Sequence, residues 1–164
     1  MRHAIFPGTF DPFTLGHLDI TERACALFDR VTILLARNSR KSALLPLEER
    51  LAVIQASVAH LPGVSVDSHS GLLVEYAGKH GATTLVRGLR AVEDFDFEAR
   101  LAQVNRRLSP GLDTVFLLAA ESHVYVNSTI VRELFLYGDE YLRFVPAPVG
   151  AAMQALKVRE GDQS

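Results

Sequence analysis

The sequence predicts a single α/β domain built on a doubly wound, five-stranded parallel sheet. Three observations carry that prediction. Short β-branched and aromatic runs alternate with helical apolar stripes, the strand runs are almost continuously apolar, and turn signals separate one strand–helix unit from the next. With 164 residues, 48% of them hydrophobic, the chain is long enough to bury about two-thirds of its unfolded surface without disulfide or metal staples.

The first strand is Ala4-Ile5-Phe6, and it runs into a loop at Pro7-Gly8. Ile20, Ala24, Leu27 and Phe28 follow at spacings of four, three and one, the stripe of a helix packed on a sheet. Gly16-His17 therefore sits at a helix N-terminus. There the unpaired backbone N–H groups and the positive end of the helix dipole favour an anion, Gly16 permits close approach of a phosphate, and His17 adds a directional donor. The second strand is Val31–Ala36, and Leu47, Leu51, Ile54 and Val58 mark the next helix. Leu61-Pro62-Gly63 turns the chain into a third strand at Val64-Ser65-Val66, and a shorter helix from Leu72 to His80 ends ahead of Gly81. Thr83–Val86 is the fourth strand, and Phe97, Leu101, Val104 and Leu108 repeat the four-three-four helical spacing. Ser109-Pro110-Gly111 leads into the fifth strand, Thr114–Leu118. Val126-Asn127-Ser128-Thr129 precedes Ile130, Val131, Leu134 and Phe135, so Asn127 or Ser128 is the expected N-cap of a further helix. The domain is expected to span residues 1–158, with 159–164 as a polar tail.

Composition narrows the ligand. Seventeen Lys and Arg against nineteen Asp and Glu give a net charge of −2, which argues against a nucleic-acid surface needing many phosphate contacts and leaves a small anionic ligand in a locally basic pocket. Cys25 is the only cysteine and lies within the first helical stripe, so a packed free thiol is expected, with no disulfide framework and no thiolate cluster. The six histidines, at positions 3, 17, 60, 69, 80 and 123, show no metal-ligand spacing, and no protein-held metal is expected. No apolar run approaches ~18 residues, and only three apolar residues precede Pro7, so the expected compartment is the cytoplasm with no membrane partner.

Each polar cluster falls just after a predicted strand, the edge where such sheets bind ligands. Gly8, Thr9, Phe10 and His17 follow the first, Arg37-Asn38-Ser39-Arg40-Lys41 the second, Arg87-Gly88-Leu89-Arg90 the fourth, and Glu121 through Thr129 the fifth. Plainer readings stand beside the functional ones. His17 serves either as a helix cap or as a phosphate donor, Thr9 as a turn residue or a contact, and Lys41 as a solvated charge or a ligand. Arg87 follows a buried-type strand, where a guanidinium needs an anion: a ligand, or an internal partner among Asp94, Asp96 and Glu98. Asp94 and Glu98 share a helix face and suit a structural arginine, while Glu98 also suits ribose hydroxyls. Capping alone explains Asn127 and Ser128; a second helix N-terminus facing the first would cradle a triphosphate. No Ser-His-Asp or Cys-His arrangement, G-x-G-x-x-G or G-x-x-x-x-G-K-[ST] is present.

Pro7-Gly8-Thr9-Phe10-Asp11-Pro12-Phe13-Thr14-Leu15-Gly16-His17 resembles the T/H-x-G-H motif of nucleotidyltransferases. Leu47-Glu48-Glu49-Arg50, Arg87-Gly88-Leu89-Arg90-Ala91-Val92-Glu93-Asp94-Phe95 and Ser128-Thr129-Ile130-Val131-Arg132 make the chain similar to the bacterial phosphopantetheine adenylyltransferases over residues 3 to 157. The resemblance implies a Rossmann-like nucleotidyltransferase fold and transfer of an adenylyl group from ATP to 4′-phosphopantetheine. It implies phosphopantetheine contacts from Thr9, Lys41, Leu73 and Arg87, and ATP contacts from Thr9, Phe10, His17, Gly88, Leu89, Arg90, Glu98 and the stretch His123, Val124, Tyr125, Val126, Asn127, Ser128 and Thr129. His17, Lys41, Arg90 and Ser128 are the implied catalytic residues, magnesium (Mg2+) the ion carried with ATP, coenzyme A a product-like inhibitor, and a homohexamer the assembly. Asn127 departs from the family pattern, which commonly has Ser there, and His123 falls at a variable position.

Overall fold

The computed structural model describes residues 1–36 and 43–161, and Lys41 lies outside them. Five strands, β1 (His3–Gly8), β2 (Arg30–Ala36), β3 (Val64–His69), β4 (Thr84–Leu89) and β5 (Asp113–Leu118), form one parallel sheet in the order β3-β2-β1-β4-β5. Successive strands step outward from β1 to β3, and the chain then returns across β1 to build β4 and β5. That reversal is the doubly wound arrangement the alternation predicts, with its switch point between β1 and β4.

Alternate residues of each central strand feed two cores. Ala4 and Phe6 of β1, with Val31, Ile33 and Leu35 of β2, join the larger cluster, while Ile5 and Leu34 between them join a smaller one. The larger core takes Ile20 and Ala24 of α1 (Leu15–Leu27), Ile54 of α2 (Leu47–Ser57), Val131 and Phe135 of α5 (Ser128–Tyr137), and Val149 and Met153 of α6 (Ala147–Gly161). The smaller core takes Tyr76 and Ala77 of α3 (Leu73–His80), with Leu73 and Val74 packed against it. Cys25 is half-buried against the larger core, and burial pushes its thiol pKa up, as a packed rather than reactive cysteine requires.

Three expectations need correction. β4 continues through Leu89, so Arg87, Gly88 and Leu89 lie within the strand, in register with Phe116, Leu117 and Leu118 of β5, and only Arg90 follows it. The Phe97, Leu101, Val104 and Leu108 stripe of α4 (Val92–Leu108) is not buried in either core: the helical spacing is real, yet Phe97 is exposed at 66% and Val104 at 53%, and only Leu101 turns toward the sheet, beside Leu85. Beyond Phe135 the sequence reading names no element, whereas a 3-10 turn at Glu140–Phe144 and α6 complete the larger core, and α6 extends through Gly161. Arg159, assigned to the tail, is helical and forms an ion pair with Glu49 of α2 at 2.9 Å. No helix among the described residues is long and apolar enough to cross a membrane.

Candidate active site

β1 and β4 pair only at Ala4–Thr84 and Ile5–Leu85, so the two strands part before their carboxyl ends. That splay opens the crevice at the switch point. Pro7, which has no N–H to offer a ladder, stands where β1 pairs with β2 alone, and Arg87 bridges the gap by donating from Nη1 to the Pro7 carbonyl at 2.7 Å. Arg87 also donates to both carboxylate oxygens of Glu98, from Nε at 2.7 Å. Of the two partners open to Arg87 in the sequence, the internal one is therefore filled, and the same bond occupies the Glu98 carboxylate proposed for ribose. Arg90 takes Asp94 in the same way, through its backbone N–H and Nε, both at 3.2 Å.

The loop after β1 folds its aromatics inward. Phe10 is buried with φ at 48°, a left-handed conformation uncommon for a bulky residue and costing about 1–3 kcal/mol. Gly8 makes room for it: a Cβ there would lie 2.8 Å from the Phe10 ring. With its side chain in the core, Phe10 can meet a nucleotide only through its backbone, and the buried Leu89 is in the same position. Thr9 is exposed, and its carbonyl accepts from the Arg50 guanidinium at 2.7 Å. Arg50 and Asp11 are buried charges that the sequence reading leaves without roles. Arg50 Nε also donates to the Leu45 carbonyl, while the Asp11 carboxylate accepts the Leu44 and Leu45 N–H groups at 2.8 and 3.0 Å and faces Arg132 of α5 at 3.6 Å. Together they fasten the opening loop to the entry of α2 and to α5.

His17 fills the capping role that its position allowed. It is the third residue of α1, and a capping box joins it to the N-cap Thr14. Thr14 N–H donates to His17 Nδ1 at 3.0 Å, and His17 N–H donates to Thr14 Oγ1 at 3.3 Å. Phe13 stacks on the ring at 5.5 Å, Phe10 meets it edge-on at 5.0 Å, and Phe6 lies 6.2 Å away. Burial, then the positive charges of Arg90 and Arg87, push the His17 pKa down to about 3, so the imidazole is neutral at physiological pH. The capping box takes Nδ1, and no hydrogen bond among the described residues uses Nε2.

The second helix start lies against the same loop. Asn127 is the N-cap of α5, its Oδ1 accepting from Ile130 N–H at 2.8 Å, and Ser128 Oγ donates to the Pro12 carbonyl at 2.8 Å. The Ser128 hydroxyl proton is thus spent on the loop. His123 ends a 3-10 turn at Glu121–His123 and approaches α1, since a Cβ on Gly16 would sit 3.5 Å from its Cβ. Val126 is buried, Tyr125 is exposed, and Val124 lies between the turn and the cap. Gly88 faces α1, 3.3 Å from Ile20 by the same measure. Leu73 and Arg87 share the lining of a narrow slot of about 20 Å³ with Pro7, Leu101, Ala102 and Asn105. A larger cavity of about 420 Å³ runs between Leu44 and α5, where Thr129 and Arg132 line it.

Residues 5–134 match the cytidylyltransferase-like family. The chain belongs to that family. The match runs from β1 through most of α5 and takes in the whole crevice, leaving α6 outside. As a member of this nucleotidyltransferase family the chain shares its fold with solved structures of low identity. A Vibrio parahaemolyticus protein described as a nicotinate-nucleotide adenylyltransferase superposes with a TM-score of 0.68 at 20% identity, covering 94% of this chain and 99% of that one. A bifunctional NMN adenylyltransferase/ADP ribose pyrophosphatase from Francisella tularensis gives 0.64 at 18% identity, covering 84% of this chain and 42% of that one. The same bifunctional protein complexed with AMP and a manganese ion gives 0.56 at 17% identity, with the same coverage. Among the described residues, no three His, Cys, Asp or Glu side chains converge as metal ligands.

Proposed function

We propose that this family member transfers an adenylyl group from ATP to 4′-phosphopantetheine, reversibly giving 3′-dephospho-coenzyme A and pyrophosphate without a covalent enzyme intermediate. The observation that carries this reading is Arg87 and its surroundings. The slot there, at about 20 Å³, has room for about one water, so its chemistry and not its volume supports the reading: a guanidinium beside the apolar Leu73, Leu85, Leu101 and Ala102 suits an acceptor with a phosphate head and an uncharged tail. The motif resemblance around Arg87 to Phe95 points the same way. For the acceptor phosphate to reach Arg87, it must displace or share the Glu98 carboxylate.

The chemistry needs alignment more than proton transfer. The attacking phosphate is already anionic, and in-line displacement at the α-phosphorus asks for positioning and charge neutralisation. In this reading His17 donates from Nε2, Ser128 and Thr129 offer backbone N–H groups, and Arg90 and Lys41 supply positive charge. Thr9 and Leu73 meet the acceptor, while Phe10, Gly88, Leu89, Glu98 and the stretch from His123 to Thr129 flank ATP. Magnesium enters with ATP and neutralises phosphate charge. Coenzyme A, which carries the product's skeleton, is expected to compete at the same site.

A mononucleotide acceptor is the alternative, raised by the descriptions of the superposed Vibrio and Francisella proteins. Incubation with ATP, magnesium and either 4′-phosphopantetheine, nicotinamide mononucleotide or nicotinate mononucleotide, read by mass spectrometry, separates the two. Dephospho-coenzyme A as the sole product is the expected result; a dinucleotide in its place overturns the proposal.

Self-association belongs to the same proposal, the resemblance implying a hexamer. The exposed stripe of α4 suits a second copy of this chain as its occupant. Its apolar residues repeat at four-three-four spacing, the seam of paired helices, while Asp96 lies toward one end and Arg106 and Arg107 toward the other. An antiparallel pair of α4 helices therefore brings unlike charges together at both ends.

A further inference from the structure

We infer that Thr14 is a positioning residue that fixes His17 as the neutral tautomer carrying its proton on Nε2, so that His17 serves this site solely as a hydrogen-bond donor. The catalytic part of the inference rests on the adenylyl-transfer reading; the tautomer itself rests on geometry alone.

A neutral imidazole has one N–H and one lone pair, and what faces each nitrogen decides which is which. Facing Nδ1 is the backbone N–H of Thr14, at 3.0 Å. An amide N–H can only donate, so Nδ1 must present its lone pair and the ring proton must lie on Nε2. Thr14 Oγ1 agrees with that assignment. It also lies 3.0 Å from Nδ1 and accepts the His17 backbone N–H at 3.3 Å, which leaves its own proton to turn toward the ring. Thr14 is 1% exposed, so water does not replace these contacts.

The ring is held against turning as well as against protonation. Phe13 stacks on one face while Phe10 meets it edge-on, and a half-turn about χ2 would present carbon to the Thr14 amide in place of Nδ1. Arg90 and Arg87 are the charged groups whose fields reach the ring, and both oppose imidazolium. A second proton would have to enter at Nδ1, which already faces a donor. His17 is therefore unsuited to passing protons and well suited to holding one N–H toward a phosphoryl oxygen, the preorganised arrangement that a developing charge rewards.

Two kinds of measurement test this. In 15N-labelled protein without substrate, long-range 1H–15N spectra should show His17 Nδ1 unprotonated and Nε2 protonated throughout pH 5 to 8; protonation at Nδ1, or a titration of His17 in that range, overturns the inference whatever the substrate proves to be. Thr14→Val, with folding checked by thermal melting, keeps the backbone N–H and removes only the hydroxyl that caps the helix and flanks the ring; it should leave Nδ1 unprotonated and Nε2 protonated, and lower kcat by about ten- to a hundred-fold through a loosened ring while KM for ATP stays nearly unchanged, whereas protonation at Nδ1 in this variant overturns the assignment of the tautomer to the amide. Thr14→Ser restores the hydroxyl and should recover kcat; a kcat as low as that of Thr14→Val denies the hydroxyl its positioning role. His17→Gln, whose amide N–H reaches toward the Nε2 position, should retain more kcat than His17→Asn or His17→Ala. Equal losses in all three overturn the donor role. If Thr14→Val does not fold, the wild-type spectra together with the Gln and Asn comparison decide. A correct tautomer in a protein that makes no dephospho-coenzyme A sinks the proposed reaction and leaves the tautomer standing.

Discussion

His17 is kept neutral first by burial and then by the charges of Arg90 and Arg87, and this has consequences for rate and for stability. The rate of the proposed transfer should show no inflection near pH 6.5 from this histidine, because its pKa lies at about 3 in the folded protein. A pH profile of kcat from 5 to 9 with a limb at 6.5 that disappears in His17→Gln would refute that expectation. Stability moves differently. Between the unfolded value of 6.5 and the folded value near 3, the unfolded chain binds the extra proton, so stability should fall as pH drops through that window. His3 adds to the loss with the same sign: burial lowers its pKa, with Nδ1 bonded to the His80 carbonyl and Nε2 to Thr32 Oγ1. Urea unfolding at pH 8 and pH 5 checks it, with the lower midpoint expected at pH 5. Removing His17 altogether, as His17→Ala, should cost about 2.7–4 kcal/mol in the transition state, a 10²- to 10³-fold loss of kcat with the fold intact.

At the scale of elements, the two helix starts and the loop between them form one unit. Thr14 caps α1, Asn127 caps α5, and Ser128 Oγ ties the start of α5 to Pro12. Asn127 does in this chain what the commoner Ser would do, accepting the Ile130 N–H at 2.8 Å. Asn127→Ala should therefore cost about 1 kcal/mol and lower Tm by about 2–4 °C, while Asn127→Ser stays within a few tenths of a kcal/mol of wild type. Differential scanning calorimetry separates these outcomes, and equal Tm values for all three proteins would deny Asn127 its capping role. Arg50 and Asp11 act on the same unit from beneath. Truncating either leaves carbonyl or N–H groups of the loop unpaired in a buried setting, a different kind of loss from a missing surface charge.

For the molecule as a whole, the sheet order sets the crevice and the α4 stripe sets the outer surface. Phe97, Leu101, Val104 and Leu108 make a continuous apolar row of a kind that monomers seldom leave in water. Val104→Glu places a charge in the middle of that row. If the proposed self-association through α4 holds, sedimentation equilibrium should give a mass above that of one chain for the wild type and a smaller one for this variant, with the far-ultraviolet circular dichroism unchanged. An unaltered mass would remove α4 from the interface.

The alternation of apolar strands with helical stripes and the Pro-Gly break after Phe6 were enough to read the parallel sheet, because strand and helix periods are local properties of the chain, and the polar residues after the strands pointed to the edge where the candidate site is drawn. Periodicity also placed an apolar face on α4, but not which way that face points; a stripe that packs on a sheet and one that packs on another chain have the same spacing. α6 packs Val149, Met153 and Leu156 on the larger core at a four-three spacing of its own, and it is α2 and the Glu140–Phe144 turn that cover it. The pairings at the site belong to the tertiary structure alone. Whether Arg87 meets Glu98 or Asp94 is decided by the end of β4 and the pitch of α4, and Asp11 reaches Leu44, Leu45 and Arg132 only once three segments converge. The sequence by itself determined that a Gly-His helix start, the local chemistry of an anion site, stands at the head of α1. Only the folded chain decided that its histidine is neutral and which nitrogen bears the proton, because burial and the neighbouring positive charges exist only when distant segments have come together.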